Sequence, residues 1–162
     1  MNPMPPPPVL YAEDEDNDAF LMQRAFAKAG VINPLHVVID GTSAIQYLAG
    51  RAPYSDRSIH PLPCLLLLDL NLPRQSGLEV LKWVRDQTCF CDLPILILTS
   101  SSQDRDIGAA YELGANGYLV KPANSDRLIE LVTGFRDVCL VPNATSQGWL
   151  NIKGNQPPPL PT

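Results

Sequence analysis

Carboxylates are concentrated in the segment "YAEDEDND" (Tyr11 to Asp18), directly behind a short apolar run. Two like charges about 4 Å apart repel by ~1 kcal/mol in water and by roughly 4 kcal/mol near a protein surface. Some of these side chains must therefore point into solvent or converge on a cation. Asp14, Asp16 and Asp18 have the alternate spacing of a calcium loop, but Ala19 and Ala25 occupy its required Gly and Glu positions. An EF-hand is excluded.

The elements that must position these acids follow from the hydrophobic pattern. Apolar runs alternate with helical patterns along the chain, and "CLLLLDL" has the continuous apolar character of a parallel strand buried on both faces. We predict strands over 9–12, 35–40, 64–70, 93–100 and 117–120, and helices over 18–30, 41–50, 76–87, 104–116 and 125–141, with Ser125 as a helix N-cap. Five βα repeats predict a single-domain, doubly wound α/β fold with a five-stranded parallel sheet.

Ligands of such folds bind at the carboxyl ends of the strands, near the point where strand order reverses. The residues just after the predicted strands should therefore converge, and they are Glu13 and Asp14, Asp40, Asp69, Thr99 and Ser100, and Lys121. Asp40 precedes a glycine, and this pair favours turn chemistry over ligand binding. The remaining carboxylates, hydroxyl and ammonium are typical of a phosphoryl-transfer site.

Each residue type has a role in that chemistry. Asp69 ends the most apolar strand, and a carboxylate there can attack phosphorus to give an aspartyl phosphate. Glu13, Asp14 and Asp69 offer the hard oxygen ligands that Mg²⁺ prefers. Lys121 is a point charge suited to a phosphoryl oxygen, and Thr99 offers it a hydroxyl.

Four motifs in this order resemble the receiver domain of two-component response regulators. They are "YAEDEDNDAFLMQRAF", "LLLLDLNLPRQSGLEVL", "ILTSS" and "GYLVKP", and the resemblance covers roughly residues 8–140. It implies a flavodoxin-like receiver fold. It also implies site roles by position: Asp69 as phosphoacceptor, Glu13 and Asp14 as the acidic pair for Mg²⁺, the Asn71 backbone carbonyl as a further ligand, Thr99 as switch hydroxyl, Tyr118 as switch aromatic, Lys121 as phosphate-sensing lysine, and a cis peptide at Lys121–Pro122.

A narrower resemblance, to stand-alone receivers that partner phytochrome-type histidine kinases, is carried by the helix pattern "EDxxxDAFLMQRAF", by "DLNLP" and by "YELGANGYLVKP". It implies a sensor histidine kinase or a phosphotransfer protein as partner, with output by protein contact or phosphorelay, and it is compatible with a homodimer. We expect a Pro-rich arm over 1–7, a receiver over 8–141 and a tail over 142–162 without an output or separate catalytic domain.

The composition disfavours nucleic-acid-binding, membrane-spanning and exported classes of protein. The net charge of -5 and a pI near 4.8 disfavour nucleic acid as a partner. The longest apolar run, Cys64–Leu68, is too short to cross a bilayer, and no export signal is present, so we expect a cytoplasmic protein with reduced thiols.

Two other functions compete with that of a phosphorylated receiver. A phosphatase that forms an aspartyl phosphate would need a second acid two residues after its nucleophile, and that position is Asn71, whose amide cannot supply a proton. The other rival is a receiver-fold interaction module that acts independently of phosphorylation. The acids and the lysine at the strand ends argue against such a module, which would not need them. The complex between such a module and its partner would be unaffected by Asp69→Asn.

Overall fold

A computed structural model describes residues 5–100 and 104–140. Its strands are β1 (Val9–Ala12), β2 (Leu35–Val38), β3 (Leu65–Leu68), β4 (Ile95–Thr99) and β5 (Gly117–Val120). Its α-helices are α1 (Asp16–Lys28), α2 (Gly41–Ala49), α3 (Gly77–Asp86), α4 (Asp104–Glu112) and α5 (Ser125–Cys139), with a short 3₁₀ turn at Thr88–Phe90 that the sequence pattern did not predict.

The five strands form one parallel sheet in the order β2-β1-β3-β4-β5. This confirms the predicted doubly wound fold. The chain runs from β1 outward to β2 and then returns across β1 to β3, so the strand order reverses between β1 and β3. The carboxyl ends of these two strands therefore border the crevice in which such folds bind ligands.

The four leucines of β3 have no solvent exposure because helices cover both faces of the sheet. Leu66 and Leu68 lie in the core cluster that includes residues of α2, α3 and α4, while Leu65 and Leu67 lie in the cluster with residues of α1 and α5. This two-sided burial is what the continuous apolar run predicted.

Side-chain caps mark the residues at which α2 and α5 begin. The Asp40 carboxylate accepts a hydrogen bond from the Ser43 amide at 2.6 Å and caps α2, which confirms its local role. The prediction of Ser125 as the cap of α5 was wrong. Asn124 is the cap and accepts from the Arg127 amide at 2.8 Å, because Asn124 has the extended backbone of a cap whereas Ser125 is already helical.

The chain termini are only partly described. Pro7 accepts a hydrogen bond from the buried Asn33 side chain at 2.9 Å, and Pro8 accepts from the Cys64 amide at 3.0 Å, so the end of the Pro-rich arm is attached to the sheet. The predicted tail over 142–162 lies outside the described residues. None of the helices in the described ranges combines the length and apolar character that crossing a bilayer requires.

Candidate functional site

Backbone hydrogen bonds between neighbouring strands bring the predicted residues to one edge of the sheet. The Glu13 amide, directly after β1, donates to the backbone carbonyl oxygen of Val38 in β2 at 2.9 Å. The Asp69 amide, after β3, donates to the backbone carbonyl oxygen of Ala12 at 3.2 Å. The backbone amide of Lys121, after β5, donates to the backbone carbonyl oxygen of Thr99 at the end of β4 at 2.7 Å. The sheet register therefore sets the positions of these backbone atoms, and the side chains converge from there.

Lys121 lies at the centre of the site. Its ammonium donates to Glu13 Oε1, to Asp69 Oδ2 at 2.8 Å and to Asp18 Oδ2 at 3.0 Å. Burial on its own would lower the pKa of Lys121, but the hydrogen bonds to Asp69, Glu13 and Asp18 outweigh burial and raise the pKa above its usual value. Lys121 is therefore a permanent cation of the site.

Glu13 is buried beside this cation. Its Oε1 also accepts from the Tyr11 hydroxyl at 3.0 Å, and its Oε2 accepts from the Glu15 amide at 3.3 Å. Burial raises the pKa of Glu13, although its hydrogen bond and charge interaction with Lys121 act in the opposite direction. The pKa of Tyr11 is raised by burial and by the Glu13 charge, so the hydroxyl keeps its proton and remains a donor.

The acids could hold a metal ion. One carboxylate oxygen each from Glu13, Asp14 and Asp69 lies within 4.8 Å of the others. Glu13 and Asp69 are buried and Asp14 is exposed, so the cluster opens to solvent on one side. An all-oxygen donor set with room for bound water is the chemistry that Mg²⁺ prefers, and the residues present fit such an ion.

The loop after β3 orients Asp69. The Asn71 amide donates to Asp69 Oδ1 at 3.0 Å, while Lys121 holds Oδ2, so each carboxylate oxygen has a fixed partner. The Gly77 amide donates to Leu70 at 2.9 Å, and Ser76 and Glu79 form a capping box at the start of α3. Helix α3 therefore begins directly against the backbone of Asp69.

Gly77→Ala is expected to destabilise the protein by about 1–3 kcal/mol. A Cβ at Gly77 would lie 2.2 Å from the Asp69 carbonyl oxygen and 2.7 Å from Leu70 Cα, so the backbone that carries Asp69 must shift. Urea unfolding measures the change in free energy. The matched control is Gly108→Ala in α4, where a Cβ meets nothing within 4 Å. That variant should gain about 0.5–1 kcal/mol of helix stability, and equal effects of the two variants would contradict the prediction.

The two predicted switch residues are buried on neighbouring strands. Thr99 has no solvent exposure and ends β4, and Tyr118 of β5 lies directly opposite Ile97 of β4. Because side chains alternate between the faces of a strand, Thr99 and Ile97 point to the same side of the sheet, and Tyr118 packs on that side. The structure thus places them near each other, and their switch roles stay predictions.

The predicted cis peptide at Lys121–Pro122 is contradicted. Within the described residues the structure has its cis peptide bond at Ala52–Pro53, and Lys121–Pro122 is trans. Cis and trans forms of an X–Pro bond differ by only ≈ 0.5–1 kcal/mol, so the sequence around the proline does not decide the isomer. Lys121 reaches the acids from the trans arrangement.

Asp18 is the site residue that sequence reasoning missed. It lies in the first turn of α1 and contacts Lys121 across 103 positions of the sequence. Helix periodicity held a signal for it, because Met22 and Ala25, four and seven residues further on, are buried and mark the inward face of α1. The inward face predicted for this helix begins at Met22 and does not include Asp18.

Comparison with known proteins finds one family and several relatives. The model of the family "Response regulator receiver domain" matches residues 9–133. Response regulator Rcp1 of Synechocystis sp. is 34% identical over 136 residues, which are 84% of this chain and 90% of Rcp1.

Two solved structures have the same fold. The phosphorylated cyanobacterial phytochrome response regulator RcpA has a TM-score of 0.77 and 32% identity, over 83% of this chain and 94% of RcpA. The Mn²⁺-bound form of Rcp1 has a TM-score of 0.73 and 33% identity, over 82% of this chain and 93% of that chain. The range of the family match, residues 9–133, includes the strands and loops that carry the acidic site.

Proposed function

Since the chain belongs to the response regulator receiver domain family, we propose that it accepts a phosphoryl group on Asp69 in a Mg²⁺-dependent reaction and signals through protein contacts. One observation carries this proposal. Asp69 has one oxygen on the Asn71 amide and the other on Lys121, beside the carboxylates of Glu13 and Asp14. A nucleophile, a fixed cation and a set of metal ligands thus meet at one point.

Each residue has a part in the transfer. A carboxylate oxygen of Asp69 forms the new bond to phosphorus while the bond from phosphorus to the donor atom breaks, and the electron pair leaves with the donor. Lys121 lies at hydrogen-bond distance from Asp69, where it can offset the charge of the phosphoryl oxygens. Mg²⁺ held by Glu13, Asp14, Asp69 and the Asn71 carbonyl would supply further charge neutralisation.

The donor we propose is a phosphohistidine on a sensor histidine kinase of the phytochrome type. RcpA, one of the relatives of known structure, is a cyanobacterial phytochrome response regulator that was solved in its phosphorylated form. A phosphotransfer protein would present the same phosphohistidine chemistry. Rcp1 was solved in a Mn²⁺-bound form, which supports binding of a divalent cation by this chain, and Mg²⁺ suits the oxygen ligands of Glu13, Asp14 and Asp69.

The output we propose is a change of packing near Thr99 and Tyr118. A phosphoryl oxygen on Asp69 would attract the Thr99 hydroxyl, and the Tyr118 ring would repack toward the space that Thr99 leaves. Both residues are buried, so their rearrangement must change the packing of β4, β5 and the helices beside them. Phosphate drives such a shift only by its different contacts in the two packings.

The test is the intact mass of the protein after incubation with a small acyl phosphate, with Mg²⁺ in one arm and EDTA in the other. We expect one phosphoryl adduct per chain with Mg²⁺ and none with EDTA. Gel filtration of the same samples shows whether the adduct changes self-association. If calorimetry confirms Mg²⁺ binding and no adduct forms, the proposal fails and a phosphorylation-independent interaction module is the remaining function.

A further inference from the structure

The Tyr11 side chain is buried in an apolar cluster, but its hydroxyl reaches the acidic site. Tyr11 is 1% exposed and lies in the core cluster that includes Met22 of α1 and Leu119 of β5. Removing a hydroxyl from water costs free energy unless it finds a hydrogen-bond partner, and a phenylalanine ring would fill the same space without that cost. The partner of this hydroxyl is Glu13 Oε1, at 3.0 Å. The hydroxyl therefore connects the core to a carboxylate of the cation site.

The strand directs these two side chains toward each other. Alternate residues of a strand project from the same face, and the Glu13 amide continues the pairing of β1 by donating to the backbone carbonyl oxygen of Val38. The Tyr11 ring turns about only two side-chain bonds and is fully packed, so its hydroxyl has a fixed position. Lys121, the other side-chain donor to Glu13, is a point charge on a flexible stem that also contacts two further carboxylates. Tyr11 is therefore the more directional of these two donors.

The lone pairs of the Glu13 carboxylate are divided unequally among its contacts. Each oxygen of a carboxylate offers about two acceptor positions. Oε1 accepts from both Tyr11 and Lys121, whereas Oε2 accepts from the Glu15 amide at 3.3 Å. Oε2 therefore keeps one position for a cation or for water bound to a cation.

We propose that Tyr11 is a positioning residue of the cation site, whose hydroxyl fixes the rotation of the Glu13 carboxylate and leaves Oε2 open to a divalent cation. This inference rests on the Mg²⁺ site of the proposed function. It adds to that site a side chain that does not contact the cation and acts on it through Glu13.

Loss of the hydroxyl would allow the carboxylate to turn. In Tyr11→Phe, Oε1 keeps its contact with Lys121, and Oε2 keeps the Glu15 amide at 3.3 Å. A carboxylate that turns must be ordered again when the cation binds, and this ordering lowers the affinity. Removal of a partner that orients a metal ligand typically costs about 10–100-fold in metal affinity. We expect the lower end, roughly ten-fold, because two of the three donors to Glu13 remain.

Isothermal titration calorimetry of wild type, Tyr11→Phe and Tyr47→Phe measures the affinity for Mg²⁺. Tyr47 is the matched control, because it is also 1% exposed, its hydroxyl donates to the Pro61 carbonyl oxygen at 2.9 Å, and it lies in the core cluster on the other face of the sheet. We expect Tyr11→Phe to bind Mg²⁺ roughly ten-fold more weakly than wild type, and Tyr47→Phe to bind as wild type does. Urea unfolding in EDTA checks that both variants fold and lose stability to a similar degree.

A second pair of variants tests whether Tyr11 acts through Glu13. Glu13→Asp keeps the carboxylate but shortens the side chain by one methylene, which withdraws the acid from the Tyr11 hydroxyl. Tyr11→Phe should therefore weaken Mg²⁺ binding much less in the Glu13→Asp background than in the wild-type background.

Three results would overturn the inference. Equal or tighter binding of Mg²⁺ by Tyr11→Phe would show that the hydroxyl does not position Glu13. A loss of the same size in Tyr47→Phe would assign the effect to core packing, and an undiminished loss in the Glu13→Asp background would assign it to a route other than Glu13. These results leave the proposed function standing, because wild type still binds Mg²⁺ and forms the adduct. If wild type binds no Mg²⁺, the metal dependence of the proposed function fails together with the inference.

Discussion

Asp69→Asn is expected to abolish the phosphoryl adduct and to leave the fold intact. The amide cannot act as the nucleophile toward phosphorus, so no acyl phosphate forms at this position. The side chain keeps its size, and its amide oxygen can still accept from the Asn71 amide, which now reaches Asp69 Oδ1 at 3.0 Å. The loop after β3 should therefore hold its conformation, and circular dichroism and urea unfolding check that it does.

The adduct itself is measured by intact mass with an acyl phosphate and Mg²⁺. The matched control is Asp92→Asn, because Asp92 is an exposed aspartate outside the acidic cluster and its variant makes the same chemical change. It should form the adduct to the wild-type extent. An adduct of wild-type amount on Asp69→Asn would show that another side chain accepts the phosphoryl group, and the assignment of Asp69 would be wrong.

Lys121→Met is expected to lower the free energy of unfolding by about 2–3 kcal/mol in EDTA. Lys121 donates to three carboxylates, two of them nearly inaccessible to water, and its removal leaves their charges without a cation. Methionine keeps much of the apolar stem of the side chain, so the change isolates the charge. The penalty should be smaller in Mg²⁺, because a bound divalent cation offsets the same carboxylates.

Urea unfolding of wild type and variant, with and without Mg²⁺, measures this difference. The control is Lys82→Met on the exposed face of α3, which should change the unfolding free energy by no more than about 0.5 kcal/mol in either condition. Equal losses for Lys121→Met with and without Mg²⁺ would contradict the idea that the lysine and the metal offset the same acids. A loss no larger than that of Lys82→Met would show that the contacts of Lys121 are energetically minor.

Much of the fold and the centre of the site follow from local pattern. The run of leucines in β3 is long and apolar enough to predict a strand buried on both faces, and repeated βα units predict a parallel sheet. In such a sheet the carboxyl ends of the strands share one edge. Glu13, Asp69 and Lys121 could therefore be predicted to meet although they are far apart in the sequence, and their hydrogen bonds show that they do.

Other features were decided by the tertiary structure. Asn and Ser are both good cap residues, and cis and trans forms of an X–Pro bond in general differ by only ≈ 0.5–1 kcal/mol, so local sequence leaves both choices nearly balanced. Contacts between distant segments settle choices of this size. The Asp18–Lys121 ion pair joins residues 103 positions apart and depends on how α1 packs beside α5, which no pattern within either segment contains. The sequence by itself determined which chemistry gathers at the sheet edge, and only the packed chain decided that Asp18 joins Glu13 and Asp69 around Lys121.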